Sequence, residues 1–246
     1  MTDMETKRKL TAAYDEVMAG VRSAEAEAGR PSGEVTLLAA VKYATAEQIN
    51  ILHRERGLCH VGENRVQTLL EHWEGLEDRE NMKVHFIGSL QKNKVKYIVG
   101  KVCLIHSVDS FGLAEEIDRQ SAKLGIVTDI LVEVNIGNEE SKTGADASSV
   151  KELCGRISGL RNVNLRGLMT VGPKCGSPEG YIGYFSQTYS LFSEIFLDKS
   201  EENGHNINGY LLSMGMSDSY VEAISCGADV IRPGRCLFGE RNYPER

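Results

Sequence analysis

No apolar run in this chain exceeds the five residues Leu37-Leu-Ala-Ala-Val41, far short of the roughly 20 that a membrane-spanning helix needs. The start MTDMETKRKL has no apolar stretch of the secretory kind, and no Asn-x-Ser/Thr sequon occurs. A cytoplasmic location is therefore expected. The six cysteines include no Cys-x-x-Cys pair, which argues against a zinc site or a disulfide framework. They read as reduced thiols packed in or near a core. The six histidines contain no His-Glu-x-x-His and no metal-ligand spacing, so no metal is expected. A cationic surplus is also missing. Lys plus Arg number 28 against 35 Asp plus Glu, a net charge of −7. That balance argues against nucleic-acid and anionic-membrane partners. A single phosphorylated ligand remains compatible, because a few backbone N–H groups can bind it locally. No Gly-x-Gly-x-x-Gly follows a strand, and no Pro/Ser-rich linker divides the chain. One domain over residues 1–246 is the simplest organisation.

What is present is alternation. Leu10, Tyr14, Val17, Met18 and Val21 form one apolar stripe, predicting a first helix before Pro31-Ser32-Gly33 stops it. Val35–Val41 then reads as a strand buried on both faces, as parallel sheets require. Further strands are predicted at 58–61, 84–87, 104–108, 130–135, 165–169, 210–212 and 230–231. Helical stripes lie between them: Val66, Leu69, Leu70 and Trp73; Leu113, Ile117 and Leu124; Phe185, Tyr189, Phe192 and Phe196. Eight βα units in 246 residues predict an α/β fold, a (β/α)8 TIM barrel with one extra N-terminal helix. A doubly wound open sheet is the alternative.

Barrel chemistry sits at the carboxyl ends of the strands. Lys42 directly follows the apolar strand, and Thr45 with Gln48 forms a capping box. An amine at a pocket floor there is available as a Schiff-base nucleophile; the alternative is a lysine snorkelling at the rim. Ser213-Met-Gly215-Met-Ser217 follows the seventh strand, with Ser219 and Glu222 as a capping box and Ser217 as an alternative N-cap. Arg232-Pro-Gly234-Arg235 follows the eighth. These two loops are where barrels commonly hold phosphate. Asn64, in Gly62-Glu63-Asn64, either caps the next helix or faces a ligand. His85 reads as a satisfied core residue. Lys92, Lys94 and Lys96 read as a solvated helix face. The stretch 137–143 resembles a phosphate-binding P-loop but lacks the glycine before Lys142. Ser89-x-x-Lys92 and Lys142-Thr-Gly144 suggest penicillin-recognising enzymes, yet no Ser-Asp-Asn lies between them.

Taken together, several stretches resemble the pyridoxal 5′-phosphate (PLP) homeostasis protein family. They are Ala40-Val-Lys42, His60-Val-Gly-Glu-Asn64, His85 through Lys94, Ser107-Val-Asp-Ser110, Val134 through Gly144, Arg166 through Thr170, Leu212 through Ser217 and Arg232 through Gly239. The barrel of that family is similar to the N-terminal domain of alanine racemase (fold-type III PLP proteins). The resemblance implies PLP held as a Schiff base on Lys42, with Asn64 near the ring and Arg232 facing the pyridine nitrogen. It implies a phosphate held by Ser213, Gly215, Ser217 and the Gly234–Arg235 backbone. Two departures stand out. Arg235 replaces a small hydroxyl residue, and Tyr43-Ala44 replaces the more frequent Thr-Lys. The implied role is vitamin B6 homeostasis with little or no turnover, in a monomer that influences PLP supply to apo PLP-dependent enzymes. Two other readings stay open: a slow PLP-dependent amino-acid racemase or isomerase, and a PLP-free regulatory barrel using Lys92–Lys96 as a contact face.

Overall fold

Eight strand positions run parallel around a ring, and the first is shared by both ends of the sheet. The computed structural model describes residues 3–137, 139, 143–197 and 209–239. The first position is the apolar run at 36–40. Its lower half, β1 (Thr36–Leu37), pairs with β10 (Val230–Ile231), and its upper half, β2 (Ala39–Ala40), pairs with β3 (His60–Glu63). Leu38 N donates to Ile231 O at 2.9 Å and Val41 N to Gly62 O at 3.0 Å, so one strand serves both neighbours. From β3 the ring continues through β4 (Lys83–Phe86), β5 (Leu104–Val108), β6 (Thr128–Asn135), β8 (Val163–Thr170), β9 (Leu211–Ser213) and β10. A two-residue β7 (Ala145–Asp146) pairs only with β6. This is the barrel expected from the alternation, not the open sheet.

Helices cover the outside because each strand presents apolar side chains to it. The N-terminal α1 (Asp3–Glu27) buries Leu10, Val17 and Val21, with Tyr14 and Met18 partly buried against the same core. Its buried Glu25 carboxylate accepts from Gly33 N and Val35 N, which fixes where the first strand begins. Thr45 and Gln48 form the expected capping box on α2 (Ala46–Arg56). The remaining covering helices are α3 (Val66–Gly75), α4 (Phe111–Leu124), α5 (Val150–Ile157), α6 (Pro178–Phe196), α7 (Tyr220–Ser225) and α8 (Arg235–Phe238). After β4 the covering element is a 3-10 helix, Lys92–Tyr97, whose three lysines are exposed.

Two local expectations fail. Leu124, the last residue of α4, is 58% exposed, so the apolar stripe is not buried to the end of the helix. Ser219 does not cap α7; its hydroxyl instead accepts from Met216 N at 3.3 Å, across the turn from Met216 to Ser219. Lys142 and the family-like residues 140–142 lie outside the described residues.

Inside the ring, apolar residues form two separate clusters. Leu38, Ile87 and Val230 make one, and Leu104, Leu131 and Met169 the other. The interior therefore carries a polar seam between them. The outer shell, where helices meet sheet, holds most of the buried hydrophobic side chains, each worth about 1.5–3 kcal/mol when fully buried. Among the described residues all six cysteines are free, and no helix is long and apolar enough to cross a membrane.

Candidate functional site

The carboxyl ends of the strands surround a cavity of about 470 Å³. Lys42, Asn64, Ser217, Arg232, Gly234 and Arg235 line it, over apolar Ile87 and Val171. The first six come from the loops after the first, second, seventh and eighth strand positions, whereas Ile87 follows the third and Val171 the sixth. Gly215 lines an adjoining recess of about 300 Å³, which shares Arg232, Arg235 and Asp218 with the first.

Lys42 is pinned from both sides. Val41 before it is fully buried, Ala44 N donates back to Val41 O at 3.0 Å, and Thr45 caps the next helix. The chain turns outward straight after Val41, so Lys42 stands exposed at the rim rather than at the floor. Its Nζ lies 4.8 Å from the centre of the Tyr43 ring. The turn has a buried prop that the sequence reading missed. His72 Nδ1 is 2.5 Å from Glu63 Oε1, and its Nε2 is 3.1 Å from Ala44 O. Both ring nitrogens face acceptors, so the Glu63 carboxylate draws the imidazole pKa up towards the charged form.

Asn64 does not cap α3, whose N-cap position is Arg65 with no side-chain cap bond. Its Oδ1 is buried with no hydrogen-bond partner among the described residues. An orphan acceptor on a cavity wall is a site for a ligand donor. Gly88 presses on the backbone of Asn64: a Cβ there would collide with the Asn64 carbonyl. Gly88→Ala is therefore expected to cost about 1–3 kcal/mol through overpacking and to move Asn64. A shift in the urea midpoint would register this, and an unchanged midpoint would contradict it.

Two loops are knitted together on the other side. Ser217 Oγ accepts from Gly234 N at 3.1 Å and from Cys236 N at 3.3 Å, so Ser217 caps α8, not α7. At Gly215 the backbone has φ +89° and a Cβ would sit 2.5 Å from the Ala223 Cβ; both require glycine. Gly234 approaches the Ala40 carbonyl, where a Cβ would stand 2.8 Å away. Arg235 Nη2 donates to Asp218 Oδ1 in a half-exposed ion pair.

Arg232 is buried. Nη1 donates to Ser213 Oγ at 2.8 Å and Nη2 to Thr170 O at 2.7 Å. Burial pulls its pKa down to about 10, opposed by the buried Glu133 carboxylate, so it remains cationic at neutral pH. Ser213, grouped with the phosphate loop by the resemblance, is placed differently. It is fully buried, does not line the cavity, and its hydroxyl is engaged by Arg232 and His106. The strand alternation explains this: Ser213 follows Leu211 on the face turned into the barrel, one layer beneath the cavity. His60, His85 and His106 share that interior. A signal for them was available, since three successive strands each carry one histidine, spaced by 25 and 21 residues.

The model of the alanine racemase N-terminal domain family matches residues 19–242. The chain belongs to this family. Among its curated relatives, the pyridoxal phosphate homeostasis protein of Aquifex aeolicus is 42% identical over 227 residues, covering 92% of this chain and 96% of that one. Among solved structures, a protein of unknown function from Bifidobacterium adolescentis superposes with a TM-score of 0.87 at 32% identity, covering 97% and 98% of the two chains. PipY of Synechococcus elongatus, solved with PLP bound, gives a TM-score of 0.74 at 30% identity, covering 89% of this chain and 99% of that one. The resemblance read from the motifs is thus borne out at the level of the family and of the alanine racemase-like barrel.

Proposed function

We propose that this member of the alanine racemase N-terminal domain family binds PLP covalently through Lys42 Nζ and serves vitamin B6 homeostasis. The observation that carries the reading is the convergence of Lys42, Asn64, Arg232, Ser217, Gly234 and Arg235 on one cavity. PLP needs an amine for its aldehyde, donors for its phosphate and a partner for its ring nitrogen. The cavity offers each. Lys42 supplies the amine at the rim. The Gly215–Ser217 turn and the Gly234–Arg235 backbone form the phosphate side, and Asn64 Oδ1 offers an unmet acceptor. The Arg235–Asp218 ion pair is half exposed and weak enough to yield its guanidinium to a phosphate. Ser213 supports the ring side indirectly, through Arg232.

Arg232 decides what the site can do. A guanidinium only donates, so it can hold the pyridine nitrogen as an acceptor but leaves that nitrogen without a proton. Bound PLP supplies an electron sink for carbanion chemistry, and an unprotonated ring is the weaker sink. The weaker sink supports a holding role with little or no turnover over racemase chemistry. Apo PLP-dependent enzymes as recipients, a monomeric state and a cytoplasmic location belong to the same proposal.

Reduction of the PLP-loaded protein with borohydride, followed by peptide mapping, tests the attachment. A pyridoxyl mass on Lys42 is the expected result. The same mass on another lysine, or on none, would overturn it.

A further inference from the structure

The polar seam through the barrel interior is a continuous row of hydrogen bonds. His60 Nδ1 lies 3.0 Å from His85 Nε2, and His85 Nδ1 lies 3.0 Å from His106 Nε2. His106 Nδ1 is 3.0 Å from Ser213 Oγ, which accepts from Arg232 Nη1 at 2.8 Å. Successive imidazole rings are 5.2 Å apart, tilted by 42° and 64°. The row climbs the barrel. His60 opens β3 at the amino end of the strands, opposite the exposed Lys83, whereas Arg232 lines the cavity at their carboxyl end.

The order of protons along this row is fixed from one end. Arginine has no acceptor, so Ser213 Oγ must accept from it. The serine proton then goes to His106 Nδ1, the other hydrogen-bond partner given for that hydroxyl. His106 is left with its proton on Nε2, which it donates to His85 Nδ1. His85 in turn donates from Nε2 to His60 Nδ1, and His60 keeps an Nε2–H at the far mouth. Reversing the order would strand the hydroxyl proton of a fully buried serine, at the cost of an unsatisfied polar group. A cationic ring in the middle would set two N–H groups against each other. Burial acts in the same direction, holding the His85 pKa down to about 3 and that of His106 well below its ordinary value. The charged groups facing the row are Lys83 on β4 and Arg232 after β10, with Glu133 on β6 facing Arg232.

We propose that His60, His85, His106 and Ser213 are positioning residues, one polarised hydrogen-bond wire that aims the Arg232 guanidinium into the cavity and ties it to the opposite mouth of the barrel. The wire itself exists without any ligand; its effect on a bound cofactor rests on the PLP reading above. Coupling of this kind is reciprocal, so filling the cavity changes the surroundings of His60 as much as His60 changes the cavity.

Long-range proton–nitrogen NMR on the full chain without PLP tests the wire. At pH 7 all three rings are expected as neutral Nε2–H tautomers, with His85 and His106 untitrated down to pH 5. An Nδ1–H tautomer at either ring, or titration near the ordinary value, overturns the proposal. The link to the cavity is read by titrating PLP into the parent, Ser213→Ala and Ser213→Thr, following the absorbance of the bound form. Ser213→Ala is expected to shift that band and weaken retention about tenfold, and Ser213→Thr, which keeps the hydroxyl, to restore both. If the parent takes up no PLP, the cofactor reading fails while the tautomers still judge the wire. If parent and Ser213→Ala bind PLP alike, with the same band, the positioning role is refuted and the cofactor reading stands.

Discussion

Lys42→Ala is expected to strip the protein of its PLP while leaving the fold as stable as the parent. Lys42 is exposed, and its one described ring contact is with Tyr43 at 4.8 Å. The turn around it is held by others: the Ala44–Val41 bond, the Thr45 cap and the His72 contact to Ala44 O. Removing an exposed side chain from such a frame changes stability by no more than about 0.5 kcal/mol. Among the described residues no other lysine lines this cavity, and Lys174 lines only the adjoining recess. Retention should fall by more than a hundredfold, roughly 2.7 kcal/mol or more. Absorbance after gel filtration reads the cofactor, and a thermal melt reads the fold. Retained colour in a fully folded variant would remove the central element of the functional reading.

Acidification from pH 7 to 5 is expected to cost about 2–3 kcal/mol of stability, a large share of a typical total. His85 and His106 stay neutral in the folded barrel but take up protons once unfolded, where their pKa is ~6.5. Between that value and about 3 for His85, the unfolded chain binds more protons, so stability falls with pH at about 1.4 kcal/mol per unit for each ring. His60 is shifted in the same direction by burial and Lys83. His72 works the other way. Glu63 raises its pKa, so its contribution is complete at low pH and is lost only as pH rises through the folded value. Glu133 and Asp229, raised by burial, also soften the acid loss. Urea unfolding at pH 7, 6 and 5 measures the net slope. In His85→Gln the slope should drop by about 1.4 kcal/mol per pH unit, and an unaltered slope would show that His85 is charged or solvated in the fold.

The strands were legible because parallel strands buried on both faces read as near-continuous apolar runs, and Leu37–Val41 is the plainest of them. Loop chemistry was less legible, because hydroxyl groups choose among partners that are distant in sequence. Ser217 serves Gly234 and Cys236, and Ser219 serves Met216, where local spacing had suggested caps on the following helix. The places of Lys42, Asn64, Arg232, Gly234 and Arg235 after strands were legible, and the fold brings all five to one cavity. The depth of Ser213 was not legible, because it depends on the inward–outward parity that it shares with Leu211. The histidines were weighed singly as ligands or core residues, whereas their meaning lies in three adjacent strands presenting one each to a common axis.

The shared first strand has a consequence for how the molecule is made. Thr36 and Leu37 find their partners at Val230 and Ile231, almost two hundred residues downstream. During vectorial synthesis the early strands can pair as they emerge, but the clasp cannot shut until those last residues arrive. A nascent chain that has reached only Ser213 is a curved sheet with two bare edges, open to pairing with another chain. Arg232 and Gly234 enter with the same closing segment, so the ligand mouth and the seam of the barrel are completed together, late, in one step.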